Sequence, residues 1–387
     1  FDSNRPGCPV ENIMIKNRIA YCPIIDWKFT VSKAQGSFLW DETGRKILDF
    51  TSGWNVANLG WNHPEIATAM KAQIDTNVYV PMETGEAIQF EYARQLTDSL
   101  PKELDTVSRA TGGTEANEQA IKIARAATGR KKIIGFVDTY HGESLADLSI
   151  GYRAAYVKAI APLVPEFVQL TYPTTLRSGK GEQETLNEFL TMLDQVLSKK
   201  EIAAVIMEPM MITGWGSAYV APTGFTKAVR KLTEEYGTLL ILDEVGTGFS
   251  RTGKLFGMEH EYVTPDIATF AKGISNGGAA IGAVVAKRDL IESTLDKTIL
   301  ISTFGWTPVA CAAALKTLQI HRRDKTWKMS EEKGAWLKEK LNNQLKNHAR
   351  FAEVRGLGLE IRVAFKNIET GNLDSAFANK VVVAALK

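Results

Sequence analysis

The chain has 387 residues, of which 44% are hydrophobic and 23% charged, with a formal net charge of +2. That length can bury a large core and is expected to form one large domain with a smaller one. The near-neutral balance, without any long basic run, argues against attraction to nucleic acid or a membrane surface and leaves a small molecule as the expected partner.

Cys8, Cys22 and Cys311 are widely spaced and form no C-x-x-C pair, so no disulfide framework and no metal site is expected, and the compartment reads as reducing and cytoplasmic. No signal-peptide pattern is visible. The chain opens on Phe1 and stops inside a helix-like run, "SAFANKVVVAALK", so both ends are expected to be incomplete.

Along the chain, "GSFLWDETGRKILDF" reads as a hairpin turning at Glu42, Thr43 and Gly44. Next comes "TGGTEANEQAIKIAR", where Gly112 and Gly113 allow a tight fold and Thr114 is expected to cap a helix that pairs Glu118 with Lys122. Such a start is either a phosphate cradle or a capped helix without a ligand. "KKIIGFV", "IAAVIMEP", "TLLILDEV" and "DIATFAK" are short and apolar throughout, as expected of strands buried on both faces of a parallel sheet, with helical patterns such as "TGFTKAVRKLTEEYG" between them. The run "GGAAIGAVVA" is too short and too rich in glycine to span a bilayer. From Arg323 a helix precedes a second hairpin, "RFAEVRGLGLEIRVAF". The expectation is an α/β domain over 54–318, a mostly parallel sheet sandwiched by helices, with a smaller α+β domain from 1–53 and 319–387.

In an open parallel sheet, ligands gather outside the carboxyl ends of the strands. Four such ends carry chemistry here: Tyr140 and His141, Glu208, Asp243, and Lys272. Around Asp243, "LLILDEVGTGFSRTGK" imitates a nucleotide hydrolase, with a Walker B-like strand followed by G-x-x-x-x-G-K. The order is wrong for that reading, and Leu255 stands where a P-loop needs Ser or Thr. Alone, Asp243 could be a turn cap and Lys272 a solvated loop residue. Together, a phosphate cradle, a lysine suited to a Schiff base and a buried carboxylate that keeps a ring nitrogen protonated point to pyridoxal 5′-phosphate.

With these motifs in order over nearly the whole chain, together with "NLGWNHP", "TFGWTPVACAAA" and "VRGLGLEI", the sequence resembles the class III aminotransferases of the pyridoxal-phosphate fold type I superfamily. The resemblance assigns Lys272 to the Schiff base and Asp243 to the pyridine nitrogen. It stacks Tyr140 on the ring, sets Val245 opposite, and places His141 and Glu208 in the cofactor's surroundings. Gly113 and Thr114 would bind the phosphate, and Thr303 would reach the phosphate of a partner subunit, since members are at least homodimers. It implies ping-pong transfer of an amino group from an amine donor to a keto-acid acceptor. Racemases, epimerases and aminomutases of the same family are the alternative.

Several positions depart from the family pattern. Gly246 replaces the usual Gln after "DEV", Met211 stands in a longer loop after "EP", Trp306 enters "TFGWTP", and Glu143 stands where Arg often follows "HG". Trp54, Trp61 and Trp306 either wall an apolar substrate pocket or belong to the core. A pocket wall would suit amines or ω-amino acids with pyruvate as acceptor. Arg355 either holds a substrate carboxylate or makes a structural salt bridge.

Overall fold

A computed structural model describes residues 29–151, 157–214 and 218–385, so Cys8 and Cys22 lie outside the described residues. The chain divides after Phe50 into two compact units. In the first, β1 (Val31–Gln35), β2 (Phe38–Asp41) and β3 (Lys46–Leu48) form an antiparallel sheet in that order. The expected hairpin is β2 with β3. Asp41 Oδ1 shapes its turn by accepting from Thr43 N at 2.9 Å, Thr43 Oγ1 at 2.6 Å and Arg45 N at 2.9 Å.

The second unit is built on seven strands: β4 (Thr106–Ala110), β5 (Lys132–Phe136), β6 (Phe167–Leu170), β7 (Ile202–Met207), and, after the two-residue ribbon β8 (Met211–Ile212) and β9 (Tyr219–Val220), β10 (Leu239–Asp243), β11 (Ile267–Phe270) and β12 (Gly282–Ala286). Their order is β4-β12-β11-β10-β7-β5-β6, and β12 alone runs against the others. Each of the four expected strands is present, while β4, β6 and β12 complete the sheet without having been read as strands.

Alternation along the strands separates two cores. Leu240 and Leu242 of β10, with Val205 and Met207 of β7, face the helices Glu182–Leu197 and Phe225–Glu235 through Phe189, Leu193, Phe225 and Val229. Ile241 and Ile206 face the other way, against Ala116, Ala120, Ile123 and Ala124 of the helix Gly113–Thr128. Helices on both faces explain why these strands are apolar throughout. Beyond the sheet, the helix Pro308–Asp324 packs on the helices Pro64–Ile74 and Ala87–Thr97. The helix Thr326–Leu345, the expected hairpin of β13 (Phe351–Leu357) and β14 (Glu360–Phe365), and the helix Ser375–Ala385 follow. No helix among the described residues is long and apolar enough to cross a membrane.

At the end of the sheet away from the site, Asp266 ties β10 to β11. Its Oδ2 accepts from Leu240 N at 2.8 Å and Arg230 Nη1 at 2.7 Å, and its Oδ1 from Lys287 Nζ at 2.9 Å. Burial works against the charge, but Arg230, the Leu240 N–H and Lys287 outweigh it and hold this carboxyl below its ordinary 3.8. A depressed carboxyl stabilises the fold above its unfolded value and loses that contribution as pH falls through the folded one. Asp266→Ala should therefore cost about 2 kcal/mol at neutral pH by denaturant unfolding, since it removes charge-assisted hydrogen bonds from Arg230 and Lys287 and leaves the half-buried Arg230 to Glu234. The gap between variant and wild type should close in acid; a gap independent of pH would show that the carboxyl's charge is not what stabilises.

Candidate active site

At the carboxyl ends of the strands lies a cavity of about 290 Å³, lined by Gly113, Thr114, Tyr140, His141, Asp243, Val245 and Lys272 among others. Residues 113 to 272 in sequence, read as separate strand ends and one helix start, thus meet in a single pocket.

Asp243 is 2% exposed and closes β10. Its Oδ2 lies 2.9 Å from Asn117 Nδ2 and 2.6 Å from His141 Nδ1, and its Oδ1 accepts from Val245 N at 2.8 Å. With a proton on Nδ1, His141 donates to the carboxylate. Its Nε2 is buried without a partner among the described residues. Asn117 also donates to His141 O at 2.7 Å and accepts from Thr269 Oγ1 of β11 at 2.7 Å. The sequence reading missed Asn117 and Thr269. Asn117 did carry a signal, being a polar residue on the apolar stripe of Ala116, Ala120 and Ala124.

The helix start differs from expectation. Gly112 is the N-cap, and Thr114 is already the second helical residue, so its hydroxyl is not the cap. The cap is made from the other side: the Glu115 carboxylate accepts from Thr111 N at 2.7 Å and Thr111 Oγ1 at 2.6 Å. That leaves the first helical N–H groups and the Thr114 hydroxyl at the cavity, with the positive end of the helix dipole. A side chain on Gly282 would strike Gly112 O at 2.5 Å, so glycine there lets the loop lie on β12. The expected pair of Glu118 with Lys122 is not formed. Glu118 Oε1 accepts from Ser144 Oγ at 2.5 Å, and Lys122 Nζ donates to Ile299 O at 3.1 Å.

Lys272 follows β11 with a φ of 49°, in the left-handed region, and its Nζ lies 6.0 Å from the centre of the Tyr140 ring. A non-glycine residue held there stores strain of the kind found at functional sites. Opposite Gly113, the Val245 methyls would be 3.1 and 3.2 Å from a Cβ, so the backbone at 113 fits only as glycine without displacement.

Glu208 is buried at the end of β7 and takes Thr213 N at 3.0 Å and the Thr213 hydroxyl. Burial and the charge of Asp243 push it up to about 7. A side chain on Gly246 would lie 2.9 Å from Glu208 Oε1 and overlap the Thr213 hydroxyl, so the departure at 246 matches the space that Thr213 occupies. The hydrolase imitation dissolves here. Glu244 is fully buried and caps local backbone, accepting from Gly257 N at 2.8 Å, Met258 N at 2.7 Å and Thr247 Oγ1 at 2.6 Å. Lys254 pairs with Glu331 at 3.4 Å.

The remaining candidates stand apart from the cavity lining. Trp306 is 2% exposed, donates to Gly282 O at 2.7 Å and packs on Tyr92, so it is core rather than pocket wall. Trp54, with a φ of 62°, is exposed, two residues before the cavity-lining Val56. Thr303 is exposed in the turn before Trp306. Arg355 on β13 pairs with Glu353 at 3.1 Å, donates to Ala218 O at 3.2 Å and lies over the Tyr219 ring.

The cavity residues fit pyridoxal 5′-phosphate: N–H and hydroxyl donors at a helix start for a phosphate, a fixed carboxylate for a ring N–H, an amine for an aldehyde, and walls of Tyr140 and Val245 for a flat ring. The family model for aminotransferase class-III matches residues 25–386. The acetylornithine aminotransferase of Methanopyrus kandleri is 34% identical over 86% of this chain and 80% of its own. The (S)-enantioselective omega-transaminase of Thermomicrobium roseum superposes with a TM-score of 0.87 at 32% identity, over 95% of this chain and 87% of that one. The taurine:2-oxoglutarate aminotransferase of Bifidobacterium kashiwanohense, solved with PLP and glutamate, does so with 0.85 at 28% identity, over 92% and 83%. With the sheet order, the cavity and these likenesses in agreement, the chain belongs to the class III aminotransferases, fold type I enzymes whose cofactor is pyridoxal 5′-phosphate.

Proposed function

We propose that this aminotransferase takes the amino group of an amine or ω-amino acid and delivers it to a keto acid such as pyruvate, by a ping-pong cycle, as a homodimer. The carrying observation is that Lys272 and Asp243 face one cavity whose rim is the start of the helix Gly113–Thr128. Support for the dimer comes from exposed Leu295, Ile299, Ile301 and Phe304 beside Thr303, apolar surface of the kind that partners cover. Within the chain, 54–318 serves as the cofactor-binding domain.

Each residue has a physical task. The helix-start N–H groups and the Thr114 hydroxyl bind the phosphate. Asp243 accepts the ring N–H, and His141 and Asn117 keep its carboxylate from turning away. Tyr140 and Val245 bound the two faces of the ring slot. Lys272 Nζ takes and returns the proton of the substrate carbon, sheltered by its place at a buried strand end. When bound, pyridoxal 5′-phosphate supplies the electron sink that makes this proton removable.

The donor class rests on chemistry at the cavity mouth. Glu143 is exposed beside the Tyr140 hydroxyl, and burial raises its carboxyl somewhat above the ordinary range. A carboxyl there offers nothing to the second carboxylate of a dicarboxylic keto acid, which favours a monocarboxylic acceptor. The relatives' names, acetylornithine, taurine and an omega-transaminase, cover amino acids and amines whose amino group lies away from an acid group. We assign Arg355 to the acceptor's carboxylate because its planar fork suits one, a role in which it would exchange part of its present pairing with Glu353. A half-reaction screen decides between transfer and racemisation. Amine donors alone should convert the bound cofactor's absorbance stoichiometrically and release a carbonyl product; inversion of the donor without a carbonyl product would favour a racemase.

Three outcomes check these roles. After borohydride reduction, peptide mapping should find the cofactor on Lys272, and Lys272→Ala should leave none attached; attachment to another lysine would overturn the assignment. Asp243→Asn should keep the cofactor through its phosphate yet lose roughly 4 kcal/mol of barrier lowering, near a thousandfold in kcat, which stopped-flow half-reactions would measure. Arg355→Ala should lower kcat/KM tenfold to a hundredfold, about 1.5–3 kcal/mol, with a keto acid but hardly with an aldehyde acceptor. Equal losses with both acceptors would make Arg355 structural.

A further inference from the structure

Behind the cavity wall the helix Leu145–Gly151 carries Asp147, which is 2% exposed. Gly142 is all that separates it from the cavity. With a φ of 145° that residue is confined to glycine, and a side chain there would overlap the Asp147 carboxyl and lie 2.6 Å from Thr114 Oγ1. The carboxyl and the Thr114 hydroxyl therefore both crowd the space beside Gly142.

Neither Asp147 oxygen has a well-aligned hydrogen-bond partner among the described residues. Ser144 is near, but its proton goes to Glu118 Oε1 and its oxygen already accepts from Asp147 N at 3.1 Å. Among the described residues, the charged groups that act most on Asp147 are Glu118 from the helix Gly113–Thr128, Asp243 from the end of β10 and Glu143 from the loop before its own helix, and all three are acids. A carboxylate with such neighbours, eased only by the nearby Ser144 hydroxyl, is costly to bury, so the group is held as the neutral acid. Burial first, then Glu118, push it up to about 9.

We propose that Asp147 is a positioning residue for the cofactor's phosphate: as a neutral acid it lets Thr114 and Gly142 close on the phosphate dianion, and its ionisation drives the phosphate out. The enzyme then sheds cofactor at alkaline pH by a device separate from Lys272. This rests on the reading of the cavity as the phosphate site. A raised acid is neutral well below its folded value, so retention is full near neutral pH and falls as pH rises through about 9.

The test follows cofactor retention by the full-chain holoenzyme after dilution and gel filtration, from about pH 7 to about pH 10.5, with pyridoxal 5′-phosphate and with pyridoxal, which lacks the phosphate. Wild-type affinity for the phosphorylated form should fall about tenfold or more across the upper part of this range, as expected for like charges meeting in a partly buried site. Asp147→Asn, neutral at every pH, should show less than about a twofold fall. Pyridoxal should show no such limb, which removes Lys272 as the cause because both compounds engage its amine. A merely structural Asp147 would lower the thermal midpoint on substitution and leave the alkaline limb in place. Flat wild-type retention, a parallel fall in Asp147→Asn, or the same fall with pyridoxal would each overturn the inference. Failure of the wild type to retain any phosphorylated cofactor at neutral pH would instead overturn the cavity assignment on which it stands.

Discussion

Asp243 sits at the end of a strand covered on both faces, where a carboxylate without donors would be costly to bury, and three donors from three segments converge on it. Asn117 comes from the helix whose start opens on the cavity, His141 from the loop that also carries Tyr140, and the Val245 N–H from another residue of the cavity lining. The carboxylate is thus a reference point, and the other site groups are set relative to it. Loss of one donor leaves a buried acceptor short by about 1–3 kcal/mol, and it also lets the neighbouring segment shift against the ring site. Thr269 extends the constraint to β11, whose next turn begins with Lys272.

The parts of this arrangement that were legible in the sequence are those fixed by local pattern. Apolar runs ending in Asp243, Glu208 and Lys272 located the strand ends, and two glycines before a helical repeat located the helix start that opens on the cavity. β4 and β12 escaped because "TVSRA" is polar and "GAVVA" sits in a glycine-rich run. They are strands because β12 is covered on both sides by neighbours, a fact of topology rather than composition. The cap at Thr114 was misplaced by one turn chemistry: Glu115 reaches back to Thr111, so the hydroxyl of Thr114 was free to face the cavity. Asn117 and Asp147 act through space with partners far along the chain or across a glycine, and no spacing rule exposes such pairs.

The departures at 246 and 306 have a common character. Thr213 and Glu208, from the end of β7 and the loop after it, occupy the volume that a long side chain at 246 would need. Trp306 is turned inward, its indole N–H bound to Gly282 O and its carbonyl accepting from Gln89 Nε2 at 2.7 Å. It is anchored at the end of the turn that holds Thr303, outside the lining of the cavity that holds Asp243 and Lys272. In each case a departure in side-chain size from the family pattern is matched by this chain's own packing, at Thr213 and Glu208 in the one and at Gly282 and Gln89 in the other.

Lys272 occupies a backbone conformation that glycine or asparagine would take with less strain, by an amount on the order of 1 kcal/mol. If Lys272 has the role proposed above, a chain released from it would gain stability by exchanging the lysine for glycine, at the expense of the Schiff-base amine. A homologue bearing glycine at this φ would then be expected to keep the scaffold without that amine.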